Sequence, residues 1–247
     1  MKIGFLGCGK IGKALLHHVK EEKYGEIVFI QDPFAQLPDE NVIRKQEESC
    51  YAETDLVIEC ATADVLKENI EVILKYSNLL MFSVTAFADQ SFSDRVDSLC
   101  EEYGHTVYLP HGAILGLDGI FDGRKVWTSV VIETTKNPKS LGREDTERTI
   151  VYEGSTRQVC GLYPRNVNVH AAIALAGIGF DRTQSKIISD PAVDTNAHRI
   201  ILKGEGMDIS MDISSFAAGA VTGAYTPYSA CGSLDRICKK GVGRAFV

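Results

Sequence analysis

The segment Asp190-Pro-Ala-Val-Asp-Thr-Asn-Ala-His198 places two carboxylates, an amide and an imidazole within nine residues. An imidazole changes charge near neutral pH, so His198 is a candidate proton-transfer group. Asp190, Asp194 or Asn196 could hold its ring in one tautomer, and Asn196 is also a candidate substrate contact. The competing reading of His198 is a satisfied structural histidine at the start of a strand. Two more histidines stand at points where the chain pattern changes. His111 follows a proline and opens a glycine-rich stretch, and is read either as an active-site contact or as a turn residue. His170 lies in a run of small apolar residues and is read mainly as a packing or polar contact. Lys136 and Lys139 are candidates for binding a substrate carboxylate, with solvated surface as the competing reading.

A second kind of chemistry is written at the N-terminus. "MKIGFLGCGKIGKALLHHV" runs from a short apolar strand into Gly7, Gly9 and Gly12, then into a helix pattern with Ile11, Leu15 and Val19 at spacings of four. Strand, glycine turn and helix in that order are the context a G-x-G-x-x-G dinucleotide site requires. Gly7 permits a tight turn, Gly9 lets a pyrophosphate approach the backbone, and Gly12 lets the helix pack on the strand with its positive end toward the phosphates. Lys10 and Ile11 complete the loop. A second apolar strand, "GEIVFIQDP", ends in Asp32, twenty residues after Gly12. A carboxylate there accepts hydrogen bonds from the adenosine ribose hydroxyls and repels a 2′-phosphate. No Arg or Lys follows at once to neutralise such a phosphate. NAD is therefore the expected cofactor, with NADP weaker. The competing reading is a glycine turn in another kind of α/β protein.

These groups need elements to position them. "NVIRK", "DLVIECA", "LLMFSVTA" (79–86) and "HTVYLP" read as strands, and "ADVLKENIEVILKY" and "FSDRVDSLCEEY" as helices. The alternation predicts an α/β fold, a doubly wound parallel sheet (Rossmann type) over residues 1–110. Ligands of such a sheet sit at the carboxyl ends of its strands, which adds Ala61 and Thr62 to the expected cofactor contacts. His17 and His18 fall on the first helix, where solvated surface is expected for at least one of them. After Pro110 the pattern changes. "KVWTSVVIETTKNP", "RTIVYEGS", "SKIISD", "HRIILKG" and "MDISMDI" read as strands, and "NVHAAIALAGIGF" as a tightly packed helix. The expectation is a second, α+β domain over 111–214 with an antiparallel or mixed sheet, whose half-covered strands predict a dimer. A final helix over about 215–240, interrupted by Gly219, Gly223 and Pro227, is expected to return to the first domain.

Composition narrows the classes. The chain has 247 residues, 45% hydrophobic and 24% charged, which is enough length and apolar content to bury a sizeable core. A net charge of -7 argues against a nucleic-acid or membrane-surface role, which would need a basic face. No apolar run reaches the length of a membrane span, and the N-terminus has no signal-peptide pattern. The seven cysteines are odd in number and without C-x-x-C spacing, so they are read as reduced thiols of a cytoplasmic protein with no metal site.

Four segments in order, "PHGAILGLDG", "IETTKNPKSLG", "EGSTRQVCGLYPRNVNV" and "DPAVDTNAH", behind the glycine fingerprint, resemble the L-aspartate dehydrogenase family. The resemblance covers roughly residues 1–213. It implies an NAD(P)-dependent oxidation of L-aspartate to iminosuccinate, which feeds NAD synthesis or hydrolyses to oxaloacetate and ammonia. It also implies a homodimer, with 111–214 as the substrate and dimerisation domain. It places the family's catalytic histidine on His198, its nicotinamide-contacting alanine on Ala113 and its cofactor-contacting asparagine on Asn168. Lys136, Pro138, Lys139, Ser140 and Leu141 fall on its lysine-containing segment. Three features depart from the family. His111 replaces its serine, His170 replaces its alanine after N-x-N-V, and "AAGAVTGAYTPYS" stands where an N-P-K-T-S segment is expected. The departures keep two other functions open: a dehydrogenase or imine reductase for a different small amino acid, and a non-catalytic NAD-binding sensor.

Overall fold

The computed structural model describes residues 1–216 and 223–239. Among the described residues the chain divides into two compact units, Met1–Pro110 together with Pro227–Lys239, and His111–Phe216 together with Gly223–Thr226.

The first unit alternates strands and helices: β1 (Lys2–Leu6), α1 (Lys10–Glu22), β2 (Glu26–Gln31), β3 (Val42–Ile43), α2 (Glu48–Ala52), β4 (Leu56–Glu59), α3 (Ala63–Tyr76), β5 (Asn78–Met81), α4 (Gln90–Tyr103) and β6 (Val107–Tyr108). All strand pairs are parallel, in the order β3-β2-β1-β4-β5-β6. β1 and β4 are buried on both faces and carry near-continuous apolar runs, as a sheet covered on both sides requires. α1 buries Gly12, Leu15, Leu16 and Val19, a single stripe of helical spacing. The helices start on side-chain caps where the sequence supplies them. Thr62 accepts from Val65 N at the head of α3, and Asp89 accepts from Ser91 N and Phe92 N at the head of α4. The last helix, α8 (Thr226–Cys238), adds Ala230 and Leu234 to the core formed by Leu15, Leu16, Val19 and Ile30. It also presents Asp235, which bonds His18 Nε2 at 2.7 Å and the Tyr24 hydroxyl. Of the two helix histidines, His17 is thus the exposed one, paired with Glu21.

The second unit contains α5 (Leu117–Asp122), β7 (Trp127–Lys136), β8 (Thr149–Ser155), α6 (Thr156–Leu162), α7 (Asn168–Ala176), β9 (Gln184–Ser189), β10 (Thr195–Gly204) and β11 (Met207–Phe216). Its sheet is mixed, in the order β11-β10-β7-β9-β8, with β7 and β9 parallel and the other neighbours antiparallel. One face has two chemical halves. Trp127, Val130, Ile132, Ile200 and Leu202 form an apolar half with Ile114, Ile120 and Ile173. Beyond it, the same alternation buries Thr134, Lys136, Ser185, Asn196 and His198.

Five elements differ from the sequence reading. The final helix, expected over about 215–240, is described only over Thr226–Cys238, because Ser215 and Phe216 belong to β11. The strand expected over 79–86 ends at Met81 and passes into a 3-10 turn over Val84–Ala88. The reason is Glu59, whose carboxylate takes the amides of Phe82 and Ser83 and diverts the chain from the ladder. β10 begins at Thr195, three residues earlier than expected, because Thr195 pairs with Phe216 and Ala197 with Thr135. His198 is therefore mid-strand rather than at a strand start. α2 and α6, of five and seven residues, are too short to show a period. Residues 217–222, within the segment that departs from the family pattern, lie outside the described residues.

Candidate functional site

In the first unit the three glycines do three different things. Gly7 sits at φ 85°, the left-handed region, and a Cβ there would meet Ala61 at 2.8 Å. A Cβ on Gly12 would stand 2.8 Å from the Gly7 carbonyl, so α1 packs directly on the turn. A Cβ on Gly9 would meet nothing within 4 Å; its outer face is open to a ligand. Gly9 is also the N-cap of α1 and offers no side-chain cap, so the positive end of the helix faces the turn without a capping side chain. These are the features a pyrophosphate needs, and the residues fit the group.

Asp32 lies one residue beyond β2 and is held on three sides. Its Oδ2 accepts from Cys8 N at 2.8 Å, and its Oδ1 from Phe34 N at 2.7 Å and Ala35 N at 3.0 Å. The carboxylate thus ties the glycine turn to the following loop while staying half-exposed. Two residues here had no signal in the sequence. Arg44, just after β3, donates to the Asp32 carbonyl at 2.8 Å and brings a cation to that edge. Glu59 is fully buried at the end of β4 and accepts from Ala61 N, Phe82 N, Ser83 N and the Ser83 hydroxyl, all within 3.1 Å. Burial raises its carboxyl above the ordinary range while the Ser83, Ala61 and Phe82 donors pull it down. Its bond to Ala61 N fixes the backbone that closes on Gly7. Thr62 follows as the cap of α3, Ile11 packs into the core, and Lys10 is exposed at the head of α1.

In the second unit the polar half of the sheet is the candidate reaction site. His198 is 4% exposed and lies directly across from Thr134 in the β10–β7 ladder. Its Nδ1 is 2.8 Å from Thr134 Oγ1, and that oxygen is 2.7 Å from Nε2 of His170 on α7. The group on the imidazole of His198 is therefore the Thr134 hydroxyl. Asp190 bonds Ala192 N and faces Arg148, and Asp194 is exposed, so neither orients the ring. Lys136 is buried two residues along β7, with Nζ 3.3 Å from Asn166 Oδ1 and no ion pair among the described residues. Burial pushes its ammonium down to about 8. Burial, then the Lys136 charge, pushes His198 down to about 3. His170, fully buried, is driven well below the histidine range by burial, with His198 and Lys136 adding to it. Both rings are neutral at pH 7, and the lysine keeps its charge with no counterion among the described residues.

The strip gathers His198, Lys136, Asn196 and His170, and adds Thr134, Asn166 and Ser185, which the sequence reading missed. The alternation of β7 was the signal for Thr134, two residues from Lys136. Asn166 is the first asparagine of the same N-x-N-V motif. Lys139 is exposed on the 3-10 turn after β7 and is not part of the buried strip. His111 and Ala113 are half-buried in the turn that leads to α5, where Gly112 takes φ 61°. Asn168 is the half-buried first residue of α7.

Residues 7–110 match the family model described as the NAD binding domain of homoserine dehydrogenase. Residues 122–237 match the model for the C-terminal part of aspartate dehydrogenase. The L-aspartate dehydrogenase of Thermotoga maritima is 34% identical over 200 residues, 80% of each chain. That of Nitrosopumilus maritimus is 31% identical over 229 residues, 83% of this chain and 84% of the relative. The crystal structure of aspartate dehydrogenase from Thermotoga maritima aligns over 99% of both chains, with a TM-score of 0.80 and 30% identity. A hyperthermophilic archaeal homoserine dehydrogenase in complex with NADPH aligns with a TM-score of 0.58 at 12% identity and shares the fold alone. With its glycine cradle inside one matched region and its histidine–lysine strip inside the other, the chain belongs to the L-aspartate dehydrogenase family.

Proposed function

We propose that the protein oxidises L-aspartate to iminosuccinate with NAD, and that the iminosuccinate hydrolyses to oxaloacetate and ammonia or enters NAD synthesis. The observation that carries this reading is the buried strip itself: an uncompensated ammonium, Lys136, beside a neutral imidazole, His198. A cation kept from water with an amide oxygen but no carboxylate beside it among the described residues favours an anionic ligand. A substrate carboxylate supplies a counterion and offsets the Lys136 part of what depresses His198, the smaller part beside burial, which moves the ring toward greater basicity. His198 Nε2 then takes a proton from the substrate ammonium, because the amine must be neutral before its Cα is oxidised. The same nitrogen returns a proton when water adds to the imine. A nicotinamide dinucleotide, when bound, supplies the hydride acceptor. Gly7, Gly9, Gly12 and the head of α1 would hold its pyrophosphate, and Asp32 its ribose; Ala61, Thr62, Ala113 and Asn168 are the further cofactor contacts in this reading. His111 and Asn196 join Lys136 as substrate contacts. The experiment is a screen of the twenty amino acids with NAD at alkaline pH, read as NADH absorbance. Turnover of aspartate is expected, and turnover of another amino acid in its place refutes the substrate.

Asp32 and Arg44 make opposite contributions to cofactor choice. The free carboxylate oxygen lone pairs favour ribose hydroxyls, and the Arg44 guanidinium favours a 2′-phosphate. NAD is expected to bind more tightly than NADP. Asp32→Ala is expected to weaken NADH by about 10- to 100-fold, the scale of a charged hydrogen bond, and NADPH by less. Arg44→Ala is expected to weaken NADPH alone. Dissociation constants from fluorescence titration measure both, and equal affinities in the unmodified protein count against Asp32 as the ribose anchor.

The face of the second sheet opposite α5 and α7 carries half-exposed Val131, Ile201 and Thr135 between charged residues. We infer that this face pairs two chains into a dimer. Light scattering at micromolar concentration is expected to give twice the 27.0 kDa chain mass. A 27.0 kDa species alone rules the dimer out under those conditions. Among the described residues no helix is long and apolar enough to cross a membrane.

A further inference from the structure

His198 does not end its hydrogen bonding at Thr134. Thr134 Oγ1 meets His170 Nε2 at 2.7 Å; His170 Nδ1 meets Ser185 Oγ at 2.9 Å; Ser185 Oγ meets Thr156 Oγ1 at 2.7 Å; Thr156 Oγ1 meets the Thr183 carbonyl at 3.1 Å. Thr134, Thr156, His170, Thr183 and Ser185 are all at most 1% exposed, so water does not interrupt this line. It joins β10, β7, α7, β9 and the first residue of α6.

The line has a direction, and its last member sets it. A carbonyl can only accept, each hydroxyl has one proton to give, and a neutral imidazole has one N–H and one bare nitrogen. If Thr156 gives its proton to the Thr183 carbonyl, it must accept from Ser185. Ser185 must then accept from His170 Nδ1–H, which leaves Nε2 of His170 bare and able to accept from Thr134. Thr134 in turn must accept from His198 Nδ1–H. All five contacts are then hydrogen bonds. The reverse order makes four of them, because Thr156 cannot serve both Ser185 and the carbonyl. One additional buried hydrogen bond favours the first order about 2- to 10-fold, and chains of such bonds reinforce one another.

We propose that Thr134, His170, Ser185 and Thr156, anchored on the Thr183 carbonyl, are positioning residues that fix His198 as its Nδ1–H tautomer, with Nε2 bare as the proton acceptor. His198 Nε2 makes no hydrogen bond among the described residues and so is free to meet a substrate proton. The burial that keeps both rings neutral, beside the Lys136 charge, preserves the count on which the order depends. The line closes on a carbonyl, which cannot pass a proton on. His198 therefore exchanges its proton through Nε2 alone, and the network orients the base without draining it.

The use of Nε2 rests on the dehydrogenase reading; the tautomer does not, and the two are measured separately. Long-range nitrogen–carbon-bound-proton NMR correlations on protein labelled with ¹⁵N-histidine, without substrate, report which ring nitrogen carries the proton. His198→Ala assigns its signals by their loss. The expected result is Nδ1 protonated and Nε2 bare at both His198 and His170. Ser185→Ala, which touches neither His198 nor Thr134, is expected to let an Nε2–H population appear at His198. It is also expected to lower kcat about 2- to 10-fold with KM unchanged. Thr134→Ser keeps the hydroxyl and is expected to keep the parent tautomer. An Nε2–H tautomer at His198 in the parent overturns the proposal, and so does an unchanged His198 tautomer in Ser185→Ala. A parent with the expected tautomer but no aspartate turnover supports the relay and refutes the dehydrogenase reading instead.

Discussion

Replacing His198 with alanine is expected to lower kcat/KM for L-aspartate by about 10²–10⁴-fold, the usual loss when a positioned acid–base group is removed. That range corresponds to roughly 3–5 kcal/mol of transition-state stabilisation. NAD affinity is expected to change little, because the pyrophosphate and ribose contacts assigned above, Gly7, Gly9, Gly12 and Asp32, do not include His198. The pH profile carries a second expectation. The profile of kcat/KM reports the free enzyme, whose imidazole is held at about 3 by burial and by Lys136. The acid limb from His198 therefore falls below the ordinary histidine range in the unmodified enzyme. Near-normal turnover by the alanine variant would make His198 a structural residue.

The first unit was largely legible in the sequence, for a local reason. A G-x-G-x-x-G turn between a strand and a helix, and a carboxylate at the next strand end, are short-range patterns, and α1 shows its buried stripe directly. What was not legible there is long-range. Glu59 reads as an ordinary strand-end residue until Ser83, Phe82 and Ala61 converge on it, and Arg44 reaches Asp32 only because β3 pairs with β2. In the second unit, the motif around His198 singled out a member of the buried polar strip but not its partners. Asp190 and Asp194 are close in sequence and were the natural candidates to orient the ring. The ladder instead sets Thr134 across from it, 64 positions away. Starting β10 three residues earlier matters in the same way. It turns Asn196 from a loop group into a neighbour of His198 on one buried sheet face. Lys136 and Lys139 looked equivalent in sequence. The end of β7 separates them, leaving one in the sheet interior and the other on an exposed turn.

Lys136→Met is expected to have opposite effects on activity and on stability. Methionine keeps the unbranched apolar length of the side chain and removes the charge. If Lys136 is the partner of a substrate carboxylate, losing one member of a desolvated charge pair costs roughly 2–5 kcal/mol, about 30- to several-thousand-fold in kcat/KM. The folded protein, in contrast, holds this ammonium without a carboxylate partner among the described residues. Its pKa of about 8, against 10.5 when free, means that burial of the charge costs about 3 kcal/mol at neutral pH. Below pH 8 both folded and unfolded chains carry the proton and the full cost is present. Between about 8 and 10.5 the unfolded chain keeps the proton and the folded chain releases it. Stability of the unmodified protein therefore rises with pH through that window. The methionine variant is expected to be more stable at pH 7 and to lose that rise; urea denaturation at pH 7 and pH 10 measures both. Succinate provides the matching ligand test, since its own groups do not titrate above neutrality. Its affinity is expected to be flat up to about pH 8 in the unmodified protein and then to fall by up to about tenfold per pH unit. In the variant it is expected to be weak and independent of pH in this range. A methionine variant that gains stability yet retains aspartate turnover and succinate affinity would remove Lys136 from the substrate site. A variant that loses activity while gaining stability identifies the buried charge as one kept for its ligand, since stability and activity then pull on this position in opposite directions.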